Sequence, residues 1–265
     1  MPATHKMPLL FLGHGNPMNA ISENEFIAGF REIAKTIPKP KAIVCISAHW
    51  ETDGTFVTAM EHPPTIHDFG GFPKALFDVQ YPASGNPTLA QKIRTLSKNQ
   101  IQLDFTWGLD HGTWSVVKHL YPEADVPIVQ ISLDYKKSAQ QHYNTIKTLA
   151  PLRHEGILVV GSGNLVHNLQ RLAWDKLNQD TYAYDWAEES NEQIKEEIRV
   201  QNHQQLMNHP TEENHFKLSI PTPEHYLPLL YLLGLQEENE PVHFFNDKII
   251  GGSLSMTSLK IGKLV

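Results

Sequence analysis

Four short apolar segments, separated by stretches of helical periodicity, constrain the fold of this chain more than any other feature. Each segment is rich in Val, Ile or Leu and is bounded by Gly, Pro or polar residues, as buried strands are. The segments are Pro8–Leu12, Ala42–Ser47, Pro127–Leu133 and Ile157–Val160. Strands that alternate with helices predict an α/β fold with a mainly parallel central sheet and helices on both faces. For 265 residues we expect a single domain spanning 1–265.

Capping signals indicate where several helices begin. Ser22 followed by Glu25 has the pattern of a capping box, and apolar residues then recur at helical spacing. Asn86-Pro87 predicts the start of a second helix, and Ser138 predicts the cap of a third.

The C-terminal part of the chain has a different pattern. The segment Tyr182–Met207 is strongly charged and helical in propensity, which indicates a solvated outer helix. The histidines in this polar neighbourhood are therefore expected at the surface; they are His203, His209 and His215. The stretches PVHFFND and SLSMTSLKI predict a closing hairpin.

Composition excludes several classes of partner. Lys and Arg total 22 against 29 Asp and Glu, a net charge of −7, and no basic stripe is present that could follow a phosphate backbone. No apolar run approaches the roughly 20 residues needed to span a bilayer, and the N-terminal apolar stretch is too short for a signal peptide. The lone Cys45 lies in an apolar run, which favours a core position. We expect a cytoplasmic protein, a monomer or small homo-oligomer, with no nucleic-acid or membrane partner.

Histidine is the anomaly of the composition, with 15 residues. His14 directly follows the first predicted strand, His49 follows the second, and His167 lies just beyond the fourth. Because ligands of open α/β sheets bind outside the carboxyl ends of the strands, these side chains can converge although they are far apart in sequence. Three imidazoles at one edge of a sheet predict a metal site.

A fourth candidate ligand lies in the motif PTPEHYLPLLY. Glu224 and His225 are adjacent, and neighbours on a helical turn point about 100° apart, so only one of them is expected to face a metal. Thr222 and Pro223 have the pattern of a helix start, with Pro228 as the competing start.

His111, in GLDHGTW, is flanked by Trp107 and Trp114. It fits a pocket wall that carries a proton donor or acceptor, and it equally fits a buried, hydrogen-bonded histidine. The Pro- and Gly-rich loop PPTIHDFGGFP has the composition of a surface lid.

Other segments resemble known functional motifs but do not match them. GHGNPM follows a strand as a dinucleotide-binding loop does, but Met18 occupies the third glycine position. VGSGN lacks the spacing of a nucleophile elbow, so Ser162 is not expected to be a nucleophile. The chain contains no H-E-x-x-H and no C-x-x-C.

The motifs LFLGHGNPM, ISAHW, PPTIHDFGGFP, DHGTW, GSGNLVHNL and PTPEHYLPLLY, in this order, resemble those of the class III extradiol ring-cleavage dioxygenases. They are most similar to the DOPA 4,5-dioxygenase branch, which is related to the catalytic subunit of protocatechuate 4,5-dioxygenase. The resemblance runs from about Met7 to Gly262. It implies a non-haem Fe(II) enzyme that uses O₂ to open a catechol ring such as that of DOPA next to the diol, with Zn(II) as a metal that can occupy the site in this branch.

The resemblance also implies roles for individual residues. His14 and His49 match the two histidine ligands, and His167 matches the acid/base histidine beside the metal. His225 stands where better-known relatives place a ligand glutamate, and we favour it over Glu224 because the DOPA branch carries P-E-H here. Around zinc, His167 could serve as a fourth ligand.

In the implied reaction His167 takes a proton from the catechol, and protonated His167 or His111 stabilises the charge that develops on oxygen. Apolar walls for the aromatic ring are predicted at Trp50, Phe69 and Phe72. Two other functions are compatible with the same histidines: a zinc-dependent hydrolase, and a non-enzymatic binding protein of the Memo type. Metal content and oxygen uptake separate the three.

Overall fold

The structure, a computed structural model, describes residues 6–177, 182–212 and 214–263. Within these residues eight strands form one sheet in the order β4-β3-β5-β2-β6-β1-β10-β7, and β8 pairs with β9 beside it. The strands are β1 (Leu9–Gly13), β2 (Ala42–Thr52), β3 (Thr55–Thr58), β4 (Ile101–Asp104), β5 (Ile128–Asp134), β6 (Ile157–Gly163), β7 (Val242–Phe245), β8 (Ile249–Ile250), β9 (Leu254–Ser255) and β10 (Ser258–Ile261).

The centre of the sheet is parallel. β5, β2, β6 and β1 are neighbours that run in one direction, and they are the four strands expected from the apolar segments. The predicted C-terminal hairpin is confirmed as the antiparallel pair β7–β10, which extends the sheet beyond β1. The predicted α/β fold with a mainly parallel sheet is therefore confirmed.

Helices cover both faces of this sheet. Leu9 and Phe11 point into one hydrophobic core, and Leu10 and Leu12 point into the other, because successive side chains of a strand face opposite sides. The α-helices are α1 (Glu25–Lys35), α2 (Lys74–Phe77), α3 (Pro87–Leu96), α4 (His111–Leu120), α5 (Ala139–Lys147), α6 (Asp185–Arg199), α7 (His203–Asn208), α8 (His215–Ser219) and α9 (Leu227–Leu235). The 3₁₀ turns are Pro17–Ala20, Ala150–Glu155, Leu169–Arg171, Trp174–Lys176 and His209–Thr211. No helix of the described part of the chain combines the length and the apolar character needed to cross a membrane.

Two of the three helix starts agree with their capping signals. Asn86 caps α3, and Ser138 caps α5 with a complete capping box. The prediction for Ser22 is wrong, because Asn24 caps α1 by accepting a hydrogen bond from the Ile27 amide at 3.1 Å. Asparagine is as good an N-cap as serine, so the sequence offers two caps close together.

The charged C-terminal segment is less solvated than predicted. α6 buries one face, which includes Ile194 and Ile198, so it is an amphipathic helix packed on the core. His209 is fully buried rather than at the surface, because Glu197 and Glu212 accept hydrogen bonds from its two ring nitrogens. The two carboxylates supply the hydrogen bonds that a buried histidine ring needs.

A buried ion pair joins the start of the chain to the segment after α9. Arg153 donates two hydrogen bonds to the Glu240 carboxylate, at 2.8 and 2.6 Å, and its Nε donates to the Met7 carbonyl at 2.9 Å. Burial alone would raise the pKa of Glu240, but hydrogen bonds from Arg153 and its neighbours outweigh burial and hold that pKa at about 2. The pair therefore stabilises the fold mainly above the ordinary carboxyl range.

We expect Glu240→Gln to lower the free energy of unfolding by about 3 kcal/mol at neutral pH, because it leaves the buried guanidinium of Arg153 without its counter-charge. The native carboxylate keeps its charge below the unfolded pKa of 4.5, so the stabilisation should fade as the pH drops from about 5 towards 2. Urea unfolding across this range measures the effect, with Glu32→Gln at an exposed pair with Lys35 as the control. An equal loss for both variants would contradict the assignment.

Candidate active site

The carboxyl ends of β1, β6 and β2 meet at one edge of the sheet and carry the predicted site. His14 follows β1 directly, and its backbone amide donates to the Gly163 carbonyl, at the end of β6, at 3.1 Å. His49 lies near the C-terminal end of β2, and β2 flanks β6 on the side opposite to β1. Strand order thus brings two histidines together that are 35 residues apart in the chain.

His225 reaches the same edge from the segment before α9. Its carbonyl accepts a hydrogen bond from the Asn164 amide at 2.8 Å. A Cβ at Gly163 would lie 2.1 Å from that carbonyl oxygen, so only glycine fits there. The helix begins at Leu227 with Pro228 in its first turn, so Pro228 and not Pro223 marks its start.

The ring nitrogens of three histidines converge. His14, His49 and His225 each offer a nitrogen within 4.8 Å of the other two. The Nε2 atoms of His14 and His49 lie 3.2 Å apart. Two nitrogens bound to one ion at about 2.1 Å would be separated by roughly 3.0–3.4 Å, for angles between octahedral and tetrahedral. The donor set therefore fits a metal ion.

Hydrogen bonds to Nδ1 of His14 and of His225, on the side of each ring that faces away from the site, determine which ring nitrogen can bind a metal. Ser162 donates its hydroxyl proton to the Gly112 carbonyl at 2.5 Å, so its oxygen must accept from Nδ1–H of His14, 3.0 Å away. The neutral His14 ring then has its lone pair on Nε2, facing His49. Outer partners of this kind orient metal-binding histidines. Ser162 thus orients the His14 ring.

Glu224 lies behind His225. Its Oε1 is 3.0 Å from Nδ1 of His225 and accepts a hydrogen bond from Nδ1–H, which leaves Nε2 of His225 free to face the site. Of the two adjacent candidates, the structure brings His225 into the group with His14 and His49, while Glu224 groups with His167 and His225. This is a carboxylate–histidine arrangement of the type that supports a bound metal.

We expect His225→Ala to strip the metal, whereas Glu224→Gln should weaken metal affinity by only about 10–100-fold, because its amide oxygen can still accept from Nδ1–H. Elemental analysis after dialysis against limiting metal distinguishes the two variants. If the Glu224 change removes the metal and the His225 change does not, the carboxylate is the ligand.

His167 lies against His225 with the two rings stacked, 3.5 Å between centroids and 6° between planes. Its backbone amide donates to the Ser219 carbonyl at 2.9 Å, which holds the loop after β6 in place. Burial lowers the pKa of His167 to about 4. The ring is therefore a neutral imidazole at physiological pH and can accept a proton.

His111 is the first residue of α4 and is held by a residue that the sequence analysis missed. Both oxygens of Asp68 accept hydrogen bonds from it, one from the backbone amide at 2.8 Å and one from Nδ1 at 2.9 Å. The His111 ring lies 3.9 Å from the His49 ring and lines the cavity. It is thus both hydrogen-bonded and part of the pocket wall. The signal for Asp68 was a lone carboxylate in the PPTIHDFGGFP loop.

Burial sets the charge of the whole cluster. It holds the pKa of His14 and of His225 well below the usual histidine range, and their neighbouring histidines lower both further. Burial, followed by the charge of His111, lowers the pKa of His49 to about 3. Asp68 is partly buried, which would raise its pKa, but the hydrogen bonds and charge of His111 lower that pKa instead. Neutral imidazoles are the form that binds metal ions.

The histidines line a cavity of about 230 Å³. Of the three predicted aromatic wall residues, Phe72 is among the lining residues, and Trp50 and Phe69 lie outside the lining. Trp50 follows His49 on β2, so it points to the other side of the strand, where it stacks on Trp107 at 5.7 Å. Phe69 lies one layer behind, against His111 and Phe72, at 5.4 Å from each.

The opposite wall of the cavity was missed entirely. It consists of apolar residues from the segment after His167 and from β8 and β9: Leu169, Leu172, Trp174, Leu177, Ile250 and Leu254. The leucines after the GSGNLVHN motif could have indicated this wall. They lie in or beside short 3₁₀ turns, however, which show no helical or strand periodicity in the sequence.

Comparisons with known proteins show the family of the chain. Residues 3–253 match the family described as the catalytic LigB subunit of aromatic ring-opening dioxygenase. The chain is 49% identical to an Escherichia coli K12 protein named 4,5-DOPA dioxygenase extradiol, covering 97% of this chain and 95% of the relative. It is 35% identical to the protein of that name from Beta vulgaris, covering 94% of each.

A solved structure is also similar. The crystal structure of an uncharacterized protein from Escherichia coli K12 superposes with a TM-score of 0.82 at 42% identity, covering 97% of this chain and 100% of the other. These matches confirm the resemblance to class III extradiol dioxygenases and their DOPA 4,5-dioxygenase branch that the motifs indicated. This chain is a member of the LigB family of aromatic ring-opening dioxygenases, a family of non-haem metal oxidoreductases.

Proposed function

We propose that the chain opens the ring of a catechol such as DOPA at the 4,5 bond, using O₂ and a metal held by His14, His49 and His225. The observation that carries the proposal is the convergence of three neutral imidazoles, with one nitrogen of each within 4.8 Å of the others, on a cavity whose remaining lining is mainly apolar apart from His111, His167 and Asn16. Fe(II) is the proposed working metal, and Zn(II) is an alternative occupant of the same donors.

The donor set suits this chemistry because three protein ligands leave coordination positions open. A bound Fe(II) would hold the catechol oxygens and O₂ on one centre and allow charge to pass between them. The chain's own residues would then bind the ring, exclude water and move protons.

His167 is the proposed acid/base. A catechol must lose a proton when its oxygens bind a metal, and a neutral imidazole within the cavity can accept it. His167 lines the cavity and is not needed as a ligand when His14, His49 and His225 hold the metal, so it can serve as the proton acceptor. The same residue can return the proton when the ring opens.

His111 is proposed to stabilise charge. Its Nδ1 is occupied by Asp68, so only Nε2 is left for a ligand in the cavity. A protonated Nε2 would donate a hydrogen bond to an oxygen that gains negative charge during ring opening. Asp68 keeps the ring in place for that contact.

The proposal is tested by incubating iron-loaded protein with DOPA and isotopically labelled O₂ and measuring the mass of the product by mass spectrometry. We expect one labelled oxygen in the new carboxylate of the product, because each oxygen of O₂ ends on one carbon of the broken bond, whereas the oxygen of the new aldehyde exchanges with water or leaves as water when the amine of DOPA condenses with it. A product without label would favour a metal-dependent hydrolase, and metal binding without any turnover would favour a binding protein.

A further inference from the structure

The stretch of β2 that carries His49 is irregular. The parallel pairing of β2 with β6 ends at Ser47, and its pairing with β5 is interrupted between Ile46 and Glu51. His49 lies within this interruption. Irregularities of this kind recur beside active sites, where they redirect a side chain at the cost of ladder hydrogen bonds. The position of His49 therefore depends on contacts other than the sheet ladder.

Ser47 and Asp110 supply such contacts. The backbone amide of His49 donates to the hydroxyl oxygen of Ser47 at 3.2 Å, and this hydroxyl donates its proton to Oδ1 of Asp110 at 2.7 Å. Ser47 and Asp110 are both fully buried. The irregular stretch of β2 is thus attached to Asp110 through two hydrogen bonds in series.

The same oxygen of Asp110 also holds the start of α4. Oδ1 accepts a hydrogen bond from the Thr113 amide at 3.1 Å, which makes Asp110 the N-cap of the helix that begins at His111. One carboxylate oxygen therefore connects the backbone segments of His49 and His111. The ring centroids of these two histidines lie 3.9 Å apart.

Gly112 lies where the two segments touch. A Cβ at Gly112 would lie 2.5 Å from Oγ of Ser47 and 2.8 Å from Cδ2 of His49, so a larger residue would push α4 away from β2. The Gly112 carbonyl also accepts the hydrogen bond from Ser162, the residue that orients His14. The first turn of α4 is thus in contact with the supports of two metal-binding histidines.

Gln130, on β5, holds the carboxylate in this position. Its amide nitrogen donates to Oδ2 of Asp110. Its amide oxygen accepts from the Thr113 hydroxyl at 2.8 Å and from the Asp110 backbone amide at 3.3 Å. Each donor in this group faces an acceptor, so exchanging the carboxylate for an amide places two donors against each other.

Helix capping alone does not explain a carboxylate here. Burying a charge is costly, and the hydroxyl and amide groups that donate to Asp110 are uncharged. Asparagine would cap the helix as well as aspartate does. A carboxylate differs in that both of its oxygens accept hydrogen bonds, which lets Asp110 bind Ser47 and Gln130 at the same time.

We infer that Asp110 is a positioning residue for ring opening, because it fixes the metal ligand His49 and the charge-stabilising His111 relative to each other. Ser47 and Gln130 are its anchors on β2 and β5. Asp110 does not line the cavity and acts through the two histidines. The inference rests on the proposed dioxygenase function and extends its site by a carboxylate behind the rings.

Asp110→Asn tests the inference. The new amide nitrogen would face the amide nitrogen of Gln130, so the group must rearrange and His49 loses its support. We expect the dissociation constant for Fe(II), measured by dialysis without oxygen, to rise about 10–100-fold, the range for residues that orient a metal ligand. At saturating Fe(II) and catechol, kcat should also fall because His111 shifts with the helix.

A second substitution should reverse this loss. In the double variant D110N/Q130E, the carboxylate at position 130 offers an acceptor to the new amide nitrogen and still accepts from Thr113. We expect the double variant to recover most of the Fe(II) affinity that D110N loses. A double variant that binds Fe(II) no better than D110N would overturn the role of the Asp110–Gln130 pair.

Ser47→Ala removes only the connection to β2 and leaves the helix cap and the contact with Gln130 in place. It should raise the Fe(II) dissociation constant at least about tenfold. This variant also decides the question if Asp110→Asn does not fold. Fe(II) affinity equal to that of the unmodified protein in Ser47→Ala would overturn the inference.

Asn86→Ala is the matched control for the loss of a helix cap. Asn86 caps α3 by accepting from the Leu89 amide at 2.9 Å, close to the edge of the sheet where β5 begins, opposite to the site. We expect this variant to lower the urea midpoint of unfolding and to leave the Fe(II) dissociation constant and kcat unchanged. An equal loss of Fe(II) affinity in Asn86→Ala and Asp110→Asn would mean that Asp110 is only a helix cap.

Failure of the inference can be told apart from failure of the proposed function, because Fe(II) affinity is measured without turnover. If the unmodified protein oxidises no catechol, the dioxygenase proposal fails, and the order of the Fe(II) dissociation constants still decides whether Asp110 positions His49. If catechols are oxidised and the Asp110 and Ser47 variants bind Fe(II) normally, only the positioning role is wrong.

Discussion

His14→Ala and His49→Ala should each leave the chain folded but lower its metal affinity by more than about a hundredfold, with loss of turnover. The reason is that each ring supplies one of the three nitrogens of the group formed by His14, His49 and His225. Loss of a supporting residue typically costs about 10–100-fold in metal affinity, and loss of a ligand should exceed that range.

The measurement is metal per chain after dialysis against a fixed concentration of free metal, with circular dichroism to check the fold. His243→Ala, at an exposed histidine of strand β7, is the control and should retain the full metal content. A His14 or His49 variant with normal metal content would remove that residue from the site.

His167→Gln should keep the metal and lose about 10²–10⁴-fold in turnover while the catechol still binds. His167 lines the cavity but does not belong to the group of His14, His49 and His225, so its removal leaves those three nitrogens in place. What disappears is the group that accepts and returns the proton.

Metal content and oxygen uptake are measured on the same iron-loaded sample of this variant. Normal oxygen uptake would exclude His167 from the mechanism, and loss of the iron would make it a ligand. The zinc form adds a second comparison: if His167 is a fourth zinc ligand, the substitution should weaken zinc binding more than iron binding.

The central sheet could be predicted from sequence because its strands are buried on both faces. Continuous apolar runs such as Ile157–Val160 stand out for that reason. β3 and β4 were missed because each has only four residues; β4 is also partly exposed at the edge of the sheet, and β3 has a threonine at each end, so neither forms a continuous apolar run. Local chemistry does not reveal such strands, since the neighbouring strand supplies most of their stability.

The histidines of the site were predictable for a topological reason. Their positions after strands were visible in the sequence, and a parallel sheet brings the ends of neighbouring strands together. The partners behind them were harder to find, because Asp68 and Ser162 contact His111 and His14 only through the fold. Trp50 was misplaced because the alternation of side chains along β2 sends it away from His49.

His209 illustrates a different limit. Its polar neighbours in sequence indicated a surface position, yet two of them, Glu197 and Glu212, are the partners that allow it to be buried. Hydropathy alone cannot distinguish a carboxylate that faces water from one that accepts a hydrogen bond from a buried ring.

One measurement tests most directly whether a single three-histidine metal centre carries out oxygen-dependent ring opening. Metal-free protein is titrated with Fe(II) under exclusion of oxygen, and oxygen uptake and catechol loss are then recorded together at each step. We expect turnover to rise in proportion to the iron and to level off at about one equivalent per chain, since three convergent nitrogens hold one ion, with one O₂ consumed for each catechol opened. Turnover that proceeds without oxygen, or that does not depend on the iron added, would contradict this.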